Sequence, residues 1–281
     1  MTEQWNADSA GRERNPEMLY RQEKQGRIAI TQPTHAWLSG QLARAWGNER
    51  FGEVAPWEEV CLGAEQHDVG HTAWEQAPTL NPQTGLPYSF LEMPRHVHVQ
   101  IWSEAARCVL PQGRYAALLV SLHGTGLYER YDAANDLPEH AQAVQHYLAQ
   151  ERAFQQELLA TLRADPHYRP YATEEVVARN RRLVGVWDAL SLAICFGRKP
   201  PQSWQQVPTA TSSTTLTLTA YDDDPTKRIV TPWPFRCQQV TLVYEGRYLA
   251  ETFSNEAVMR EALKRAPWVT LQTTLFPGET E

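Results

Sequence analysis

Two adjacent side chains, His67 and Asp68 in the stretch LGAEQHDVGHTAW at 62–74, offer one divalent metal ion an imidazole nitrogen and a carboxylate oxygen. Such pairs arise often by chance, so this one gains weight only from its company. His35 precedes it, and His98, His123 and Asp188 follow, each on or beside an apolar stripe of helical spacing. A carboxylate inside VGVWDALSLAICF is costly to bury alone, and a metal ion is its natural partner. The alternative partners for Asp188, Arg181 and Arg182, fit that apolar setting less well. His123 has a plainer reading as a core histidine bonded to backbone. The expected metal ligands are His35, His67, Asp68, Asp188, His123 and His98. The expected catalytic groups are Asp68, His123 and His71, which lies one helical turn past Asp68. Arg95, Arg198 and Lys199 offer cations to a phosphate but read as solvated surface charges.

These side chains need elements to carry them. His35, Leu38, Leu42 and Trp46 share one helical face, opened at Pro33-Thr34 and closed by Gly47. A second helix from Pro56 aligns Val60, Ala64 and His67 and ends or bends at Gly70. The stretch 76–94 holds Pro78, Pro82, Pro87 and Pro94, which predicts a long irregular loop, read here as a lid over the site. A third helix begins at Pro94 and carries His98 on the flank of its apolar stripe. A fourth, over about 114–127, places His123 with Ala116, Leu119 and Val120. A long amphipathic helix spans 137–164. The last long helix runs from a Thr173 cap to about Phe196, with Asp188 between Val184 and Leu192 on one face.

After Lys199-Pro200-Pro201 the pattern changes to alternating and β-branched runs, as in strands, with Glu245-Gly246 read as a hairpin turn. A hairpin over 18–30 is placed to complete that sheet. The expectation is a mainly α protein, a helical bundle with a small C-terminal β-rich appendage. Its parts would be a disordered 1–15, a helical metal-binding domain over 16–200 and a β-rich unit over 201–281. The chain has 281 residues and a formal net charge of -7, which disfavours duplex nucleic acid as a partner. No apolar run approaches the roughly 18 residues of a membrane span, and no signal peptide opens the sequence. Cys61, Cys108, Cys195 and Cys237 lie far apart without a CxxC pair, so they read as thiols of a reducing compartment, and a cytoplasmic location is expected.

The order His35, His67-Asp68, Asp188 resembles the HD-domain superfamily of metal-dependent phosphohydrolases. More narrowly, QPTHAWLSGQLARAWG, the HD stretch, AALLVSLH, WDALSLAICF and the PWPF run at 232–235 are similar to the bacterial family called domain of unknown function 3891. Val69 and His71 stand where that family commonly carries an acid and a tryptophan. The resemblance implies an HD-like bundle holding one or two divalent transition-metal ions: manganese, iron, nickel or cobalt. It implies hydrolysis of a phosphomonoester or phosphodiester, with a nucleotide as the foremost small-molecule substrate. There a metal-bound hydroxide attacks phosphorus and His71 or His123 protonates the leaving oxygen. No Walker-type phosphate loop is present. Two alternatives stand: a di-iron oxygenase of the same fold, which needs bridging Asp68 with His98 and His123, and a catalytically silent metal-containing binding or regulatory module. A homo-oligomer is compatible with either.

Overall fold

Residues 19–89, 93, 95–129, 131, 136–197, 201–222 and 224–278 are described in the computed structural model. The expected disorder at 1–15, and the side chains of Arg95, Arg198 and Lys199, fall outside them. Strands form where apolar residues alternate with polar ones. In Val240–Leu249 (β8), Val240, Leu242 and Tyr244 are buried while Thr241, Val243 and Glu245 face out. The other strands of the main sheet are Leu19–Glu23 (β1), Gly26–Ile30 (β2), Gln202–Pro208 (β5), Ser213–Tyr221 (β6), Asp224–Thr231 (β7) and Trp268–Pro277 (β9), and the alternation recurs in β6, where Leu216 and Leu218 are buried. These seven pair in the order β1-β2-β8-β9-β7-β6-β5. All neighbours are antiparallel except β7 and β9, which run parallel.

This sheet overturns the expectation of a mainly α protein. Of the described residues 48% are helix and 24% strand, and the sheet curls into a half-barrel, so the fold is α/β. The physical reason lies in β8, where Glu245-Gly246 is no turn: the strand runs straight through it. Gly246 is there for close approach, since a Cβ would meet Ile28 Cγ2 at 2.4 Å. The uninterrupted strand pairs with β9 on one side and with β2 on the other, from Arg27↔Leu249 to Ala29↔Arg247. The N-terminal hairpin is thereby one edge of the sheet.

Two helices, Gln32–Ala45 and Glu174–Cys195, pack directly against the sheet, and those between them in the chain pack on helices. Gln32–Ala45 (α1) starts at the Thr31 cap, whose hydroxyl accepts from Thr34 N at 3.1 Å, an arrangement contributing about 1 kcal/mol. Trp57–Glu65 (α2), His71–Gln76 (α3), Arg95–Val109 (α4), Arg114–Gly126 (α5) and Pro138–Ala164 (α6) follow. Glu174–Cys195 (α7) is capped by Thr173 and ends before Gly197, whose φ of 61° suits a residue without Cβ. Leu38 and Leu42 of α1 with Trp46 just past its end, Leu183, Val184 and Trp187 of α7, and Leu216, Leu218, Leu242 and Leu275 of the sheet share one buried apolar core. Trp46 anchors it, lying edge-on to Trp187 at 5.7 Å and to Phe235 at 5.6 Å.

The proline-rich stretch contains a small hairpin, Leu80–Asn81 (β3) with Leu86–Pro87 (β4). It is tied to Glu256–Arg265 (α8): Leu80 N donates to Glu256 and Arg260 Nε donates to Pro78 O. Phe90, near the end of the stretch, lies outside the described residues. Among the described residues no helix is long and apolar enough to cross a membrane.

Candidate metal centre

Four elements meet at the centre of the helical layer. His35 sits one turn into α1, and Asp188 lies mid-way along α7, which packs beside it. His67 and Asp68 are not helical. α2 stops at Glu65 and the pair occupies the turn before α3, where neighbouring side chains can diverge toward one point. His123 comes from the last turn of α5. His35, His67, Asp68 and His123 are buried, and Asp188 is half-buried.

The separations are those of a ligand shell. His35 Nε2 lies 2.5 Å from Asp68 Oδ2 and 3.8 Å from Asp188 Oδ1. His67 Nε2 lies 3.5 Å from each of the same two oxygens. His123 Nε2 is 3.8 Å from the other Asp188 oxygen, Oδ2. Atoms bound to one ion at about 2.0–2.2 Å stand roughly 3.0–4.4 Å apart, so all but the shortest of these edges match directly. Two overlapping sets, His35/His67/Asp188 and His67/Asp68/His123, each keep their donor atoms within 4.8 Å of one another.

His67 gives the sharpest sign. Its Nδ1 donates to Ala64 O at 2.7 Å, so Nε2 is the nitrogen that becomes the lone pair once the ring is neutral. That atom is buried and has no hydrogen-bond partner. With Asp68 Oδ2 and Asp188 Oδ1 each 3.5 Å away, it is placed to carry a cation, either a proton or a metal ion. His35 Nδ1 contacts Ser191 Oγ at 2.7 Å, which likewise turns its Nε2 toward the shell. The donor set of two imidazoles and two carboxylates suits a borderline divalent transition metal, and its two negative charges balance the ion.

Charge within the cluster moves the protonation states apart. For His67, burial pulls the imidazole down, but the charges of Asp68 and Asp188 outweigh it and push the pKa up to about 9. Burial raises Asp68, yet His67 and His35 hold its carboxyl well below the usual range. Asp188 is also held low, against burial, by His67, His123 and His35. His123 is pulled down to about 4 by burial and by His67, and His71 is lowered chiefly by burial. Histidines surround both carboxylates; Arg181 instead pairs with Glu129, and Arg182 binds the carbonyls of Gln205 and Gln206.

His98 belongs to neither set. Its Nε2 accepts from Trp102 Nε1 at 3.1 Å and its Nδ1 contacts Tyr128 OH at 2.6 Å, so both nitrogens are engaged. His71 is buried beside Trp102 and His98, at ring separations of 5.9 Å and 6.3 Å, with Nδ1 unpartnered among the described residues. The reading from sequence missed Ser191, Ser39 and Glu75. Glu75, four residues after His71, accepts from Gln32 N at 2.7 Å, and burial followed by the charge of Asp68 pushes it up to about 8. Its i, i+4 relation to His71 is the one signal that pointed to it.

No curated protein and no solved structure matches this chain. A family model matches residues 18–251, most of the chain, and includes every residue of the centre; the chain therefore belongs to the family described as protein of unknown function, DUF3891.

Proposed function

We propose that His35, His67, Asp68 and Asp188 hold one divalent transition-metal ion, with His123 beside it, and that the centre hydrolyses a small phosphate ester. The observation that carries the reading is the convergence of these donors around the unpartnered His67 Nε2. The reaction class rests on the ligand order, which is that of HD-type phosphohydrolases. A nucleotide is the foremost substrate on the same ground. Free cysteines, two of them buried, suit a reducing compartment, and we place the protein in the cytoplasm.

One ion is favoured over two. Both donor sets need His67, whose Nδ1 is committed to Ala64 O, and the remaining nitrogen serves a single metal. The engagement of both His98 nitrogens removes a ligand that the di-iron oxygenase would need.

When bound, the ion supplies a Lewis acid and a water whose pKa falls toward about 7. The chain supplies the rest. Asp68 and Asp188, held ionised, orient donors and carry the balancing charge. His71 and His123 are kept neutral near pH 7, so each is better suited to take up a proton than to give one. His71, whose Nδ1 is unpartnered among the described residues, is the better candidate for that role.

The test is metal analysis of the purified protein with a screen of phosphate esters in manganese, cobalt, nickel and iron. Hydrolysis that disappears in Asp68→Ala supports the reading. Tight binding of a phosphate ester without turnover in any metal points to the silent regulatory module instead, and a protein that takes up no metal refutes both.

A further inference from the structure

We propose that Ser191 is a positioning residue of this centre, fixing which nitrogen of His35 carries hydrogen, and that Ser39 holds Ser191 in place. This rests on the metal reading above. Ser191 Oγ donates to Asp188 O at 2.8 Å, which uses its one proton. It accepts from Ser39 Oγ at 2.9 Å. His35 Nδ1 lies 2.7 Å from the same oxygen, and only a lone pair remains to meet it. The hydrogen is therefore on His35 Nδ1, and Nε2 is the nitrogen left to face Asp68 and Asp188.

That nitrogen is the one 2.5 Å from Asp68 Oδ2. At that separation a proton lies between the two atoms, and because Nδ1 is committed to the serine, Nε2 is the nitrogen that must give up its proton for a metal ion to bind. Both serines are fully buried, which leaves water no route to replace either hydroxyl. A serine inside a helix commonly bonds back to a carbonyl one turn earlier and does nothing else. Ser191 makes that bond to the carbonyl of Asp188 and also contacts His35 on the neighbouring helix. It thus couples two proposed ligands, one on α7 and one on α1.

The experiment compares wild type with Ser191→Ala, Ser191→Cys and Ser191→Thr. Cobalt(II) binding is followed by its visible absorption, and the protonated nitrogen of His35 by long-range imidazole proton–nitrogen NMR correlations. Removing an outer-shell partner of a metal-bound histidine costs about 10–100-fold in affinity, which is the loss expected for Ser191→Ala, with a changed cobalt spectrum and His35 no longer held as the Nδ1–H form. Ser191→Cys, of similar size but a poor acceptor, shows the same loss if the alanine variant does not fold. Ser191→Thr restores the hydroxyl and with it the affinity and the Nδ1–H form. Wild-type cobalt affinity and an unchanged His35 tautomer in Ser191→Ala and Ser191→Cys overturn the proposal. Should the wild type bind no cobalt, the metal reading fails. The tautomer read in metal-free protein still decides the serine's role: an unchanged tautomer in the alanine variant overturns it and an altered one supports it.

Discussion

Metal uptake by this protein should be tied to the loss of at least one proton, that of His67. In the metal-free protein the His67 imidazole has its pKa pushed up to about 9 by Asp68 and Asp188, so at pH 7 it is about 99% protonated. A metal ion must displace that proton. Two pH units correspond to about 100-fold, or about 2.7 kcal/mol, of apparent affinity lost at pH 7 relative to the fully deprotonated site. His123, lowered to about 4, is already neutral and adds no proton to the count. Affinity for manganese(II) should therefore rise about tenfold per pH unit between pH 6.5 and 8.5. Isothermal titration in buffers of different ionisation enthalpy should count at least one proton released at pH 7. Asp68→Asn removes both a ligand and the principal charge raising His67, so binding becomes weaker and its pH slope flatter. An affinity independent of pH, with no buffer-dependent heat, refutes the argument that charge in the cluster controls His67.

Without metal, stability should move with pH in the sense set by the same residue. His67 titrates higher in the folded chain than in the unfolded chain, so its contribution is complete below pH 6.5 and is lost as the pH rises through about 9. The full shift corresponds to about 3 kcal/mol, measurable by urea unfolding at pH 6.5 and 9 with chelator present. Glu75, also raised, acts in the same direction from pH 4.5 to about 8. Added metal at 100 times its dissociation constant should stabilise the fold by about 2.7 kcal/mol and raise the melting temperature; no shift at saturating manganese, cobalt or nickel contradicts the site. Gly246→Ala should cost about 1–3 kcal/mol, because its Cβ would meet Ile28 Cγ2 at 2.4 Å, and a denaturant midpoint equal to wild type would show that β2 and β8 do not approach so closely. His98→Ala should leave metal stoichiometry unchanged, since both ring nitrogens are engaged elsewhere, and loss of the ion on this change would return His98 to the ligand set.

The ligand types and the helical stripes that carry them were legible in the sequence, because both follow from local order. His35 recurs with Leu38 and Leu42 at helical spacing, and Asp188 stands out as a lone acid in an apolar run. The caps at Thr173 and Gly197 are likewise local chemistry. What only the tertiary structure decided depends on partners distant in sequence. His98 sits on a suitable stripe, but Tyr128 and Trp102 engage its nitrogens, and no spacing announces that. Ser39 and Ser191 are ordinary small residues until α1 and α7 bring them within 2.9 Å of one another. The fold class turned on the same limit. Gly246 in isolation signals a turn as readily as a close approach, and the choice was made by Ile28 on a strand more than two hundred residues away. Periodicity sets which face of an element is buried; which element it meets is set by long-range pairing.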